Sequence, residues 1–236
     1  MKEGLPEKIT IILPVRNEAG SGYLDQILGR ISLLQGVEVL VVDGDSEDDT
    51  CEVVKKHPVT LVETTYRIRA ARINEGVRRA RSPVVLLHHP RSLLSQSGLG
   101  YLLDHAHELR WGGFTHRFDL DHPLLKFTSW YSNRVRLEKS GIVYLDHCIF
   151  FRKSDFPVRG FKEVDLFEDT EISAALGKKC GMPVRLPFYS VTSAVRFVKN
   201  GIWTQAARNQ ILKAGYHLGI SPSLMNRWYE KGLWLN

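Results

Sequence analysis

Ile9-Thr10-Ile11-Ile12-Leu13-Pro14-Val15-Arg16-Asn17-Glu18 joins a near-continuous apolar run to an abruptly polar end. Seven residues with almost no polar alternation are what a strand buried on both faces requires. Val37-Glu38-Val39-Leu40-Val41-Val42-Asp43, Val59-Thr60-Leu61-Val62 and Pro83-Val84-Val85-Leu86-Leu87 read likewise. Between the first two, Leu24, Ile27, Leu28, Ile31 and Leu34 recur at helical spacing. A later helix is expected from Ile68 to Ala80. Ser46 is placed to N-cap a short helix, with Glu47, Asp48 and Asp49 complementing its dipole. Strand and helix alternate through these ninety residues, which implies βαβ units. The fold class is α/β, with a mostly parallel central sheet and helices on both faces.

The second half is less regular. Leu99, Leu102, Leu103, Ala106 and Leu109 mark a helix, and Gly113 to Phe118 alternates like a strand with one wet face. A helix near Leu124–Glu138, a strand over Ile142–Phe151 and a helix over Glu168–Lys179 ended by Gly181 follow. Met182–Phe188 reads as a short strand. Two closing helices are expected over Ile202–His217 and Ser221–Lys231, where Ser221-Pro222 supplies an N-cap and an N1 proline. The expected division is one domain over residues 1–197 and a helical extension over 198–236.

Composition excludes several classes. The chain has 236 residues, 43% hydrophobic and 25% charged, which rules out disorder. Only 19 Gly, 10 Pro and 3 Cys rule out collagen-like and disulfide-stapled scaffolds. Cys51, Cys148 and Cys180 are far apart and odd in number, so a reducing compartment is expected. No apolar run approaches a membrane span, and Met1-Lys2-Glu3-Gly4 opens no signal peptide, so the expected location is cytoplasmic. The net charge of +6 favours polyanionic partners.

In an open parallel sheet, ligands bind at the carboxyl ends of the strands. Those ends read Pro14-Val15-Arg16-Asn17-Glu18, then Asp43-Gly44-Asp45-Ser46-Glu47-Asp48, then Tyr66-Arg67-Ile68-Arg69-Ala70-Ala71-Arg72, then His88-His89-Pro90-Arg91. Tyr66 to Arg81 holds six arginines against one glutamate. Guanidinium groups bind phosphate oxygens bidentately, so this stretch is a ready phosphate-facing surface. Neither a P-loop nor G-x-G-x-x-G occurs. Nucleic-acid binding fits the basic charge but finds no motif, and the arginines are better explained at the strand rim.

These strand ends, with Val41-Val42-Asp43-Gly44-Asp45-Ser46-Glu47-Asp48 after strand two, resemble the N-terminal signature of family 2 glycosyltransferases, which have the GT-A fold. Arg67, Arg69, Asn74 and Gly76 continue the likeness, as do Tyr144-Leu145-Asp146-His147-Cys148-Ile149-Phe150 and Phe167-Glu168-Asp169-Thr170-Glu171-Ile172. The tail, His217 to Pro222 and Arg227-Trp228-Tyr229, is similar to the arsenosugar-biosynthesis-type subgroup. The match runs in order over most of the chain.

The resemblance implies sugar transfer, with inversion, from a nucleotide-diphosphate sugar, a UDP-sugar by expectation, to a hydroxyl acceptor. It places Pro14, Arg16, Asn17, Glu18 and Asp43 around the nucleoside, with Asp43 accepting from the base, and Arg67, Arg69 and Arg72 near the phosphates. Asp169 is the candidate catalytic base, with Glu168 beside it. First-turn dipole complementation is the structural alternative for both. Asp146 is an acceptor-site candidate or a turn carboxylate.

The family expects an Asp-containing motif for Mn²⁺ or Mg²⁺ after strand four, yet Arg91 stands there in His89-Pro90-Arg91-Ser92. Arginine supplies charge but ligates no metal. Three readings follow: Arg91 and its neighbours replace the metal, His88 and His89 recruit another ion, or catalysis is lost and binding kept. His88 also fits a packed strand histidine. A nucleotidyltransferase is the remaining alternative. Trp203, Trp228 and Trp234, with Arg208, Lys213, Arg227 and Lys231, suit either contact with an anionic membrane or lipid-linked acceptor, or helices packing on the core.

Overall fold

The computed structural model describes residues 8–231. Strands β1 (Ile9–Val15), β2 (Val37–Gly44), β3 (Thr60–Thr64) and β4 (Val84–Leu87) alternate with helices α1 (Tyr23–Ile31), α2 (Thr50–Lys55) and α3 (Arg69–Arg79). Then come β5 (Ser92–Leu94), α4 (Gln96–His105), β6 (Trp111–Phe118), α5 (Pro123–Tyr131) and α6 (Glu138–Ser140). The chain closes with β7 (Ile149–Arg152), α7 (Glu168–Cys180), β8 (Val184–Thr192), α8 (Val195–Asn200), α9 (Ile202–His217) and α10 (Pro222–Lys231).

One sheet runs β3-β2-β1-β4-β7-β6-β8-β5. β1 pairs in parallel with β2 and β4, β2 with β3, and β6 with β8. The pairs β4·β7, β6·β7 and β5·β8 are antiparallel. Every residue of β1 is buried because both faces are covered. Ile9, Ile11, Leu13 and Val15 enter one core layer with α1, α2 and α4, while Ile12 enters the other with α3, Trp111 and α7.

Antiparallel β7 decides what shares a rim. Leu87, the last residue of β4, faces Ile149, the first of β7. Asp146 and Cys148, which precede β7, therefore sit beside the carboxyl end of β4. β5 returns on β8 with Ser92 opposite Thr192, and the Ser193 amide donates to the Arg91 carbonyl at 2.9 Å. That pairing sets α8 on the same rim as Arg91. Met225 of α10 is fully buried, and α10 packs on α9.

Several local expectations need correction. Ser46 caps no helix: α2 begins at Thr50, and the Ser46 hydroxyl donates to Asp43 instead. β6 has no wet face through His116, because both faces are covered: Phe114 enters one core layer and Trp111 the other. The expected strand over Ile142–Phe151 shrinks to β7, preceded by a 3-10 turn over Leu145–His147 that holds Asp146. Helix α5 runs on through a π-helical turn, Ser132–Leu137, into α6. Met1–Gly4 and Trp234 lie outside the described residues, as do the side chains of Trp228 and Lys231. No helix among the described residues is long and apolar enough to cross a membrane.

Candidate active site

Among the described residues, four non-glycine positions have positive φ: Asn17 (54°), Asp45 (62°), Cys148 (53°) and Phe167 (62°). They follow β1 and β2 and precede β7 and α7. Such conformations cost of order 1 kcal/mol or more and concentrate at functional sites. Here the loops hold one another. The Asn17 amide donates to Ser46 Oγ at 2.9 Å, and the Glu47 amide donates back to Asn17 Oδ1 at 2.8 Å. The Glu18 amide donates to Thr50 Oγ1 at 2.8 Å.

A cavity of about 980 Å³ opens on this rim. Pro14, Arg16, Asn17, Glu18, Arg67, Arg69, Arg72 and Arg91 all line it. The far wall comes from α8, α9 and α10, with Arg196, Lys199 and Arg208 among its residues. The lining cations therefore number eight (Arg16, Arg67, Arg69, Arg72, Arg91, Arg196, Lys199, Arg208), against three acids (Glu18, Asp48, Asp165). Arg196 and Lys199, three apart on α8, were missed in the sequence; their spacing was the available signal.

The arginines are held individually. Arg67 donates from Nε (3.1 Å) and Nη2 (2.7 Å) to Asp45 Oδ2. Arg91 Nε donates to Glu18 Oε2 at 2.7 Å. Arg69 pairs with buried Glu168, and its pKa rises because the carboxylates of Glu168 and Asp169 outweigh the burial that opposes its charge. Arg72 is buried and donates from Nη1 to the carbonyls of Tyr66 (3.0 Å) and Arg67 (3.1 Å). Gly44 makes room for it, since a Cβ there would overlap Arg72 Nη1 and reach 2.5 Å from the Tyr66 carbonyl oxygen. Burial, then the charges of Arg69 and Arg16, push the Arg72 pKa down to about 10. Nε of Arg16 and Nε of Arg72 are buried donors with no partner among the described residues. Arg72 is thus repelled by both neighbours, and two buried N–H groups of the cluster are orphaned, an arrangement that a bound anion would satisfy.

Asp43 is 3% exposed and does not line the cavity. Both of its oxygens accept from Ser46, one from the hydroxyl and one from the amide at 3.0 Å, so it shapes the loop that grips Asn17. Asn74 and Gly76 also prove architectural. Asn74 pins the Phe161 backbone through two bonds of 2.8 and 2.9 Å. A Cβ on Gly76 would lie 2.5 Å from Ile12 Cγ2.

Residues 10–155 match the family described as glycosyl transferase family 2. The chain belongs to that family. No curated protein sequence matches it. Among solved structures, the mannosyltransferase PcManGT from Pyrobaculum calidifontis in complex with GDP-Man and Mn²⁺ superposes with TM-score 0.65 at 22% identity, covering 92% of this chain and 64% of that one. S. aureus TarS 1-349 in complex with UDP-GlcNAc gives 0.62 at 15%, covering 79% and 58%. Glucosyl-3-phosphoglycerate synthase from Mycobacterium tuberculosis, in complex with Mn²⁺, UDP and glucosyl-3-phosphoglycerate, gives 0.57 at 12%, covering 79% and 72%. The likeness at these identities is one of fold, α/β with GT-A architecture, and the chain spans less than two thirds of the first two structures.

In this family 2 chain, Asp169 is the second residue of α7 and lies outside the cavity lining. Its Oδ2 accepts from the Leu145 amide at 3.3 Å. Burial, then the Glu168 charge, push its pKa up to about 7, with Arg69 opposing. Glu168 is 1% exposed and spends its carboxylate on Arg69. Asp146 lies nearby, its Oδ1 3.5 Å from His89 Nε2. Tyr144, which the sequence reading quoted within a motif but gave no role, has its hydroxyl pKa pushed up by burial to about 12, with the Asp169 charge adding to it.

The residues at the expected metal position do not fit a divalent ion. Arg91 brings positive charge, and the His89 Nδ1 lone pair accepts the Arg91 amide at 3.1 Å. His89 therefore turns an N–H, not a lone pair, towards Asp146. His88 is buried, and burial pushes its pKa down to about 4, the state of a packed strand histidine. Among the described residues, no group of three or more His, Cys, Asp or Glu side chains is placed to hold an ion.

Proposed function

We propose that this chain transfers a sugar from a nucleotide-diphosphate sugar, most simply a UDP-sugar, to a hydroxyl acceptor with inversion and without a metal. The observation that carries the reading is the Arg16–Arg69–Arg72 cluster with its orphaned donors, at the carboxyl ends of parallel strands. A diphosphate would satisfy those donors and relieve the repulsion. Arg91, with one nitrogen on Glu18, keeps its Nη donors for the leaving group, in place of the expected ion.

The nucleoside would lie against Pro14, Arg16 and Asn17, with Asp43 acting through its loop. Asp169 would take the acceptor proton as the acceptor oxygen bonds to the anomeric carbon. The bond to the diphosphate oxygen breaks, and its electron pair leaves with the nucleoside diphosphate. A carboxylate titrating near neutral pH is suited to that role. Glu168 acts as a positioning residue through Arg69, and Asp146 sits on the acceptor side.

Residues 1–197 would form the donor and catalytic domain, with 198–236 completing the far wall. The place nearest the arsenosugar-biosynthesis-type subgroup rests on the tail motif. Exposed Trp203 of α9 and exposed Leu218 just after it support peripheral contact with an anionic bilayer.

The test is calorimetric titration with UDP in EDTA and again in excess Mn²⁺. Tight binding in EDTA that manganese does not improve is expected. Binding only with manganese would refute the arginine-based site. Product analysis separates the alternatives: a nucleotidyltransferase releases pyrophosphate, and a binding-only homologue neither hydrolyses nor transfers.

A further inference from the structure

Outside the lining of the donor cavity lies a second pair of cations, Arg136 and Lys213. Arg136 sits in the π-helical turn Ser132–Leu137, a local distortion that recurs at functional sites. Its guanidinium is sandwiched between the rings of Tyr131 and Tyr144, 4.9 Å from each centroid. Tyr144 is followed directly by Leu145, whose amide holds Asp169. Arg67, Arg69 and Arg91 each have a carboxylate partner, whereas Arg136 and Lys213 form no ion pair among the described residues. The acid nearest in sequence, Glu138, is taken by Arg134 (3.1 Å) and Arg185 (2.6 Å).

Lys213, on α9, lies within the electrostatic reach of Arg136, Asp169 and Asp146. Burial and the charge of Arg136 push its pKa down to about 8, while Asp169 and Asp146 oppose the shift. Both cations are half-buried, and the two tyrosine rings wall the Arg136 guanidinium near the candidate base. Nothing in the donor site requires them.

We propose that Arg136 and Lys213, framed by Tyr131 and Tyr144, form the anion subsite of the acceptor, so that the acceptor is a hydroxyl compound carrying a phosphate or carboxylate. The assignment rests on the glycosyltransferase reading, in which Asp169 receives the acceptor proton. Anchoring the acceptor by its charge fixes the distance and angle of its hydroxyl to Asp169, which is where remote binding energy assists transfer. The anion is either on a soluble sugar phosphate or on a lipid headgroup. Exposed Phe127 and Trp130, stacked at 5.7 Å on α5, adjoin Tyr131 and leave both sources open.

The test uses the full chain saturated with UDP, so that the donor arginines are occupied. Glucose 6-phosphate, glucuronate and neutral methyl glucoside are titrated calorimetrically into wild type, Arg136→Gln and Lys213→Gln. Phosphatidylcholine vesicles containing phosphatidylinositol form the lipid arm. Wild type should bind an anionic probe more tightly than methyl glucoside. Each variant should weaken that binding about tenfold while UDP affinity holds, as expected for one lost charge-assisted contact. Binding confined to the vesicles, and lost in both variants, assigns the anion to lipid. Equal anion affinity in wild type and variants, or no anionic binding by the UDP-loaded chain, overturns the subsite alone. A wild type that binds no UDP overturns the glycosyltransferase reading and the acceptor assignment with it.

Discussion

Replacing Arg69 with methionine tests whether the Arg69–Glu168 pair holds the start of α7. Glu168 retains 2% side-chain exposure and Arg69 36%, so the carboxylate depends on this partner far more than the reverse. Breaking a buried pair costs about 3–5 kcal/mol, and the exposed Arg end argues for the low figure, ~3 kcal/mol. Glu168→Gln leaves an arginine that water can reach, and should cost ~1 kcal/mol. Removing both charges should recover much of the loss, with a coupling energy of ~2 kcal/mol. At an m-value of about 3 kcal/mol/M, Arg69→Met lowers the urea midpoint by about 1 M. The assay is equilibrium urea unfolding of wild type, both single variants and the double variant. An Arg69→Met loss under ~1 kcal/mol, or a double variant that loses the sum of the singles, would refute the reasoning. The same variant has a kinetic signature: Arg69 holds the Asp169 pKa down, so its removal should move the acid limb of kcat/KM to higher pH.

Asp169→Asn should abolish transfer and leave UDP affinity nearly unchanged; equal loss of both would sink its role as base. In wild type, activity should rise as pH climbs through about 7, where Asp169 ionises. Stability should move the other way. A folded pKa raised above the ordinary 3.8 gives a contribution present at lower pH and lost as pH rises through about 7, and Asp169→Asn should flatten that slope in urea titrations. Arg91→Ala should weaken UDP more than uridine in calorimetry, and an unchanged ratio would remove Arg91 from the diphosphate site. Asn74→Ala should cost about 2–3 kcal/mol by urea unfolding, because it orphans the buried Phe161 amide, while UDP affinity holds.

Much of the architecture was legible in the chain. A seven-residue run without polar alternation requires cover on both faces, and β1 has it. The polar residues that follow each parallel strand mark one rim, because all parallel strands end together. Local corrections came where side chains chose distant partners. Ser46 looks like an N-cap until Asp43 and Asn17 claim its hydroxyl. Asn74 and Gly76, part of a motif that reads as functional, serve packing of α3 against the sheet and the Phe161 loop.

What the sequence determined by itself is the set of elements, the rim and the excess of arginine on it, since these follow from periodicity and local order. Only the tertiary structure decided which charges meet. Arg69 and Glu168 are 99 residues apart, Arg91 and Glu18 are 73 apart, and their pairing depends on sheet order. The antiparallel return of β7 brings Asp146 beside β4, and α9 brings Lys213 within the electrostatic reach of Asp169. Charge acts over ångströms in space, whereas hydrophobic periodicity acts along the chain, so composition foretells a basic cavity but not which cations in it remain unpaired.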